Sequence, residues 1–168
     1  PTTNSFSAGQ ALSGSAGAGN HSFQRPDGKF IIIHGNAVTT TSIYDPAANS
    51  FSTGPVLTTT VNIGAHSIQR PDGKFVTIMS TTSTATNIYN PGTNSFSAGP
   101  ALSTTAAAAG GAHSFQRPDG KFVTILANST TTNILDVGWN LSGTYITEQI
   151  NNSNLSANTA LYWKNVWG

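Results

Sequence analysis

The chain contains no cysteine, which excludes a disulfide framework, a thiolate metal site and a cysteine nucleophile. Charge is almost as scarce: Asp, Glu, Lys and Arg make up 8% of the 168 residues, against roughly 25% in an average soluble protein. The surface must then consist largely of uncharged Ser, Thr and Asn. A net charge of +1 supplies little repulsion to keep copies apart, so association or a glycan coat is expected. No apolar run is long enough to cross a bilayer, and membrane insertion is not expected. Of the seven Lys and Arg residues, six lie beside an aspartate in repeated turns and the seventh is Lys164. That distribution does not follow a phosphate backbone, which argues against a nucleic-acid partner. Outside those turns the only acids are Asp45, Asp136 and Glu148. With no paired carboxylates and no nucleophile motif, a non-catalytic protein without cofactor or metal is expected.

What is present is repetition. His-Ser-Xaa-Gln-Arg-Pro-Asp-Gly-Lys-Phe runs from His21 to Phe30, from His66 to Phe75 and from His113 to Phe122, with Asp27 and Asp72 spaced by 45 residues and Asp72 and Asp119 by 47. A fixed period of this size indicates stacked supersecondary units. In Arg25-Pro26-Asp27-Gly28-Lys29 the proline presets one turn residue, the aspartate bonds back to the backbone and the glycine accepts a left-handed conformation, so each copy reads as a tight hairpin. Its first strand places His21 and Phe23 on one face and Ser22 and Gln24 on the other. Its second strand, Phe30 to Ile33, Phe75 to Met79 or Phe122 to Leu126, is apolar almost without alternation, which predicts cover on both faces.

The flanks repeat too. Small-residue connectors (Ala11 to Asn20, Val56 to Ala65, Ala101 to Ala112) lead into each hairpin. Thr-rich segments after it end in Ile43-Tyr44-Asp45-Pro46, Ile88-Tyr89-Asn90-Pro91 and Ile134-Leu135-Asp136-Val137. Asn4-Ser5-Phe6, Asn49-Ser50-Phe51 and Asn94-Ser95-Phe96 open a fourth short strand, stopped by Gly9-Gln10, Gly54-Pro55 or Gly99-Pro100. Four strands per period match a propeller blade. The chain starts inside a repeat, as a segment cut from a longer array would.

Pro-Asp-Gly-Lys-Phe with its apolar strand, then Ile-Tyr-Asp-Pro, then Asn-Ser-Phe-Ser-Xaa-Gly, resembles the bacterial kelch-type repeat, whose blades build β-propellers. The resemblance covers residues 1–137. It departs where kelch repeats usually carry a glycine pair, since His34-Gly35, Met79-Ser80 and Leu126-Ala127 stand there. It implies an all-β, propeller-like array of three four-stranded blades, about 1–45, 46–90 and 91–137. Residues 141–168 are expected to form a C-terminal β extension, whose sequence is similar to the opening of the β-sandwich domains found after such repeats in secreted bacterial proteins. Kelch-type copper oxidases rely on a crosslinked cysteine that has no counterpart here.

Propellers typically close with 4 to 8 blades, so three leave two open faces. The missing neighbours are expected from a second copy, from end-to-end stacking or from the remainder of a longer polypeptide. His21, His66 and His113 either line an axial channel or bond to their own blades. Arg25, Arg70 and Arg117 form either a charged rim or solvated hairpin tips with local ion pairs. Tyr44 and Tyr89 either stack on a glycan or pack strand ends. Trp139, Tyr145, Tyr162, Trp163 and Trp167 are the expected assembly interface. The expected role is a structural or adhesion module that self-associates, with filament formation as one form. Its alternative is a lectin-like, glycan-binding propeller. The Ser/Thr/Asn richness and the sequons at Asn20, Asn128, Asn140, Asn151 and Asn154 fit a secreted or cell-surface protein, and the resemblance to bacterial repeats implies a prokaryotic one.

Overall fold

A computed structural model describes residues 8–79, 83–105, 111–126 and 129–138. All regular structure among them is β. Strands β1 (His21–Gln24), β2 (Phe30–Ile33), β3 (Thr41–Asp45) and β4 (Ser50–Thr53) form one antiparallel sheet in sequence order. Strands β5 (His66–Gln69), β6 (Phe75–Ile78), β7 (Thr86–Asn90) and β8 (Ser95–Ala98) repeat it. Strands β9 (His113–Gln116), β10 (Phe122–Ile125) and β11 (Thr132–Leu135) form a third sheet, three-stranded among the described residues. Repeated meanders of this kind make a propeller-like, all-β array. The first Asn-Ser-Phe-Ser copy and the C-terminal extension lie outside the described residues.

The chain divides into two compact units, Pro1–Ser114 with Thr124–Asn133, and Phe115–Val123 with Ile134–Gly168. The first holds two complete sheets, and the second holds the third hairpin turn.

Each hairpin closes as its residues dictate. In the first, Arg25 N donates to the Lys29 carbonyl at 2.7 Å and Gly28 N to the Arg25 carbonyl at 3.0 Å, while Asp27 Oδ1 accepts Lys29 N at 3.2 Å. Gly28, Gly73 and Gly120 have φ of +83°, +77° and +82°, a left-handed conformation that costs glycine nothing.

Register gives each sheet two unlike faces. Ser22, Ile32, Ser42 and Thr53 are cross-strand partners, as are Gln24, Phe30, Tyr44 and Phe51. Strand alternation places both rows on one face, the socket face. His21, Phe23, Ile31, Ile33 and Ile43 point the other way, onto the knob face. In the second sheet Ser67, Phe75, Thr77, Asn87 and Tyr89 take the socket side, and His66, Val76 and Ile78 the knob side.

Cover on both faces of the apolar strand holds in full only for β6, where every residue is buried. β2 alternates, with Phe30 and Ile32 half-buried, and β10 leaves Val123 and Ile125 half-buried. Among the described residues only the second sheet bonds to neighbours in both directions, through His21 to Ser67 and His66 to Ser114. The core cluster accordingly joins knob-face residues of the first sheet (Phe23, Ile31, Ile33) to socket-face residues of the second (Phe75, Tyr89), with Leu57 and Val61 from the connector between them.

Candidate functional site: the seam between blades

The seam follows from the two faces. Phe23 stacks on Phe75 with ring centroids 4.3 Å apart and an interplanar angle of 20°, and lies 5.4 Å from Tyr89. Such pairs contribute about 0.5–1.5 kcal/mol beyond the area they bury. Tyr89 is completely buried, and its hydroxyl donates to Asn94 Oδ1 at 2.8 Å. The same Oδ1 accepts Arg25 Nη1 at 3.0 Å, so the first hairpin grips the β7–β8 turn. Asn94, at φ +48°, occupies the left-handed region that asparagine tolerates better than most residues.

The histidines stitch the inner strands. His21 Nδ1 is 2.9 Å from the Gly19 carbonyl and its Nε2 is 2.9 Å from Ser67 Oγ. His66 Nδ1 is 3.3 Å from the Gly64 carbonyl and its Nε2 is 2.7 Å from Ser114 Oγ. Each serine passes the chain on, Ser67 to Thr77 Oγ1 at 2.9 Å and Ser114 to Thr124 Oγ1 at 2.8 Å. Burial holds both imidazoles below their ordinary titration, against the opposing pull of the Gly19 and Gly64 carbonyls. A neutral ring that donates from Nδ1 accepts the serine proton at Nε2. His21 and His66 therefore bond both to their own blade's backbone and across to the next blade. Among the described residues no cluster of three His, Cys, Asp or Glu side chains is placed to hold a metal ion.

The arginines pair with aspartates of their own turns, Arg25 with Asp27 at 3.0 Å, Arg70 with Asp72 at 3.1 Å and Arg117 with Asp119 at 3.0 Å. They are not equally solvated. The side chains of Arg25 and Arg70 are 13% and 17% exposed, and that of Arg117 is 43%. Arg117 is thus solvated, whereas Arg25 is covered by the seam and also reaches Asn94. Tyr44 is half-buried beside Phe30 and Phe51. Tyr89 has no exposed ring face, so of the two roles weighed for these tyrosines, glycan stacking and strand-end packing, its burial accommodates packing. Trp139, Tyr145, Tyr162, Trp163 and Trp167 lie outside the described residues.

Two positioning residues escape the sequence reading. Asn87 Oδ1 accepts Thr58 N and Thr58 Oγ1, both at 2.8 Å, and its Nδ2 donates to Thr59 Oγ1 at 3.1 Å. Asn133 accepts Ser103 N and Oγ and donates to Thr104 Oγ1 at 3.2 Å. Each buried amide clips an incoming connector to the blade that follows. The signal was the shared Asn-Ile at 87–88 and 133–134, where the first repeat has Ser42-Ile43. There Ser42 Oγ bonds Ser13 Oγ of the incoming connector at 2.5 Å and His34 Nε2 at 2.7 Å. Asn87→Ala leaves the Thr58 amide without its acceptor, and a loss of about 1–3 kcal/mol in urea unfolding is expected. An unchanged midpoint would mean that water replaces the clip.

With this geometry the chain is a propeller-like β-repeat protein. Comparison with known protein families and with curated proteins returns no match.

Proposed function

We propose that the chain is a kelch-type repeat module with a structural role: non-catalytic, displayed outside the cell, and self-associating through its open blade faces and its aromatic C-terminal segment. One observation carries this reading. On the third sheet Phe115 is 50% exposed and Ile134 is 57% exposed, whereas Phe23, which occupies the position of Phe115 in the first blade, is 9% exposed. Burying one such side chain contributes about 1.5–3 kcal/mol, and clustered exposed apolar residues mark interaction sites. The kelch assignment draws on the Pro-Asp-Gly-Lys-Phe hairpin in every repeat and on the antiparallel meander. The extracellular assignment draws on the Ser/Thr/Asn-rich composition and the sequons. A lectin role is less favoured, because the one fully described tyrosine pair presents at most Tyr44 to a ligand.

Light scattering with electron microscopy, from about 1 to 100 µM, tests the proposal. Species that grow with concentration beyond 17.4 kDa are expected without any added ligand, and Trp163→Ala or Trp167→Ala should shrink them. A monomer across the whole range would overturn the assembly role. Unchanged assembly by the tryptophan variants would remove the tail from it.

A further inference from the structure

We infer that the self-association surface is a directional seam: the knob face of the third blade docks on the socket face of the first blade in a second copy of this chain. The inference rests on the assembly reading above and identifies its contact. Within one chain the mate of a knob face is known, because Phe23 lies on Phe75 and Tyr89. The first blade carries the same socket, with no ring from another blade stacked on it among the described residues. Phe30 and Tyr44 have ring centroids 6.4 Å apart at 45°, against 6.4 Å and 52° for Phe75 and Tyr89. Tyr44 and Phe51 are 4.8 Å apart, against 5.0 Å for Tyr89 and Phe96. The filled socket is buried, with Phe75 at 3% and Tyr89 at 0% exposure. In the first blade Phe30, Tyr44 and Phe51 are only half-buried.

The polar partners are split in the same way. His113 is exposed, whereas its counterparts His21 and His66 are half-buried and bonded to the next blade's serine. Ser22 is the serine whose own chain supplies no such histidine among the described residues. It is exposed and faces the apolar Ile32, whereas Ser67 and Ser114 are held by a threonine. Arg117 keeps only its local pair to Asp119 among the described residues. Asn49 has the left-handed φ of Asn94, +46° against +48°, and accepts Tyr44 Oη at 2.9 Å. Asn94 shows that this geometry leaves room for an arginine as well. Phe115 into Phe30 and Tyr44, His113 to Ser22, and Arg117 to Asn49 reproduce, between copies, the contacts that join the first blade to the second. A knob face and a socket face differ, so the contact is heterologous, and repeated addition closes a ring or extends a filament.

Complementation in solution tests the seam. Phe115→Asp removes the knob, and Ser22→Arg blocks the socket at an exposed position, with circular dichroism and thermal unfolding checking that each variant keeps its fold. The wild type should form species larger than one chain. Each variant alone should remain a monomer at the same concentration, and an equimolar mixture should recover a dimer, because one intact knob then meets one intact socket. Wild-type association that neither variant reduces would overturn the seam and leave the assembly reading standing. Two monomeric variants that fail to pair on mixing would also overturn it, pointing to another contact. A wild type that never associates would overturn both.

Discussion

Replacing Tyr89 by alanine is expected to lower the unfolding free energy by about 3–5 kcal/mol, the range for deleting a buried large aromatic side chain. Tyr44→Ala, the same position one repeat earlier, should cost less than half as much when the chain is dilute. The two tyrosines share a sequence context, a strand register and a hydroxyl bond to asparagine. They differ in what lies over the ring. Phe23 and Phe75 pack against Tyr89, which has no exposed surface, while Tyr44 is half-buried and packs beside Phe30 and Phe51. The comparison therefore isolates the contribution of the seam from that of the blade. Thermal unfolding should show Tyr89→Ala melting roughly 6–20 °C below wild type. Equal losses for the two variants would mean that the blade's own packing, and not its neighbour, sets the cost. If the gap between them narrows as concentration rises, Tyr44 is being covered by association.

The blade itself is legible in the sequence because its signals are local. Pro-Asp-Gly fixes each hairpin, and the 45-residue spacing from Asp27 to Asp72 sets the unit without any knowledge of tertiary contacts. The alternation of His21 and Phe23 against Ser22 and Gln24 also follows from strand geometry. The seam is not legible, because identical letters acquire different environments through their position in the array. His21, His66 and His113 read alike, yet two reach a serine in the next blade and the third is exposed. Arg25 and Arg117 sit in the same pentapeptide and differ threefold in exposure. Asn87 and Asn133 escape notice because a polar residue in a Thr-rich strand looks like surface until a connector is laid over it. Repetition reports what a blade is made of, while a residue's place in the array decides what covers it.

Acidification should weaken the fold in a defined window. Burial lowers the titration of His21, His34 and His66. The Gly19 and Gly64 carbonyls oppose it at the first and last of these, and at His66 the neighbouring His21 and His113 add a further lowering. The folded chain thus prefers neutral imidazoles, whereas the unfolded chain takes up protons around the ordinary value of 6.5. Stability is fully present above that value and is lost as pH falls from it through the lowered folded values, because the unfolded state then binds more protons. The slope reaches at most about 1.4 kcal/mol per pH unit for each histidine. Asp45 and Asp136 do not confuse the window. Their hydrogen bonds to Lys29 and Lys121 lower them from 3.8, so the stability they contribute is lost only at more acidic pH. Urea midpoints at pH 7.5, 6.5 and 5.5 should show little change over the first interval and a clear fall over the second, and His66→Gln should flatten the fall. A midpoint that holds steady down to pH 5.5 would mean that His21 and His66 accept protons without releasing their serines, and the histidine seam would then be a weak stitch laid over an aromatic one.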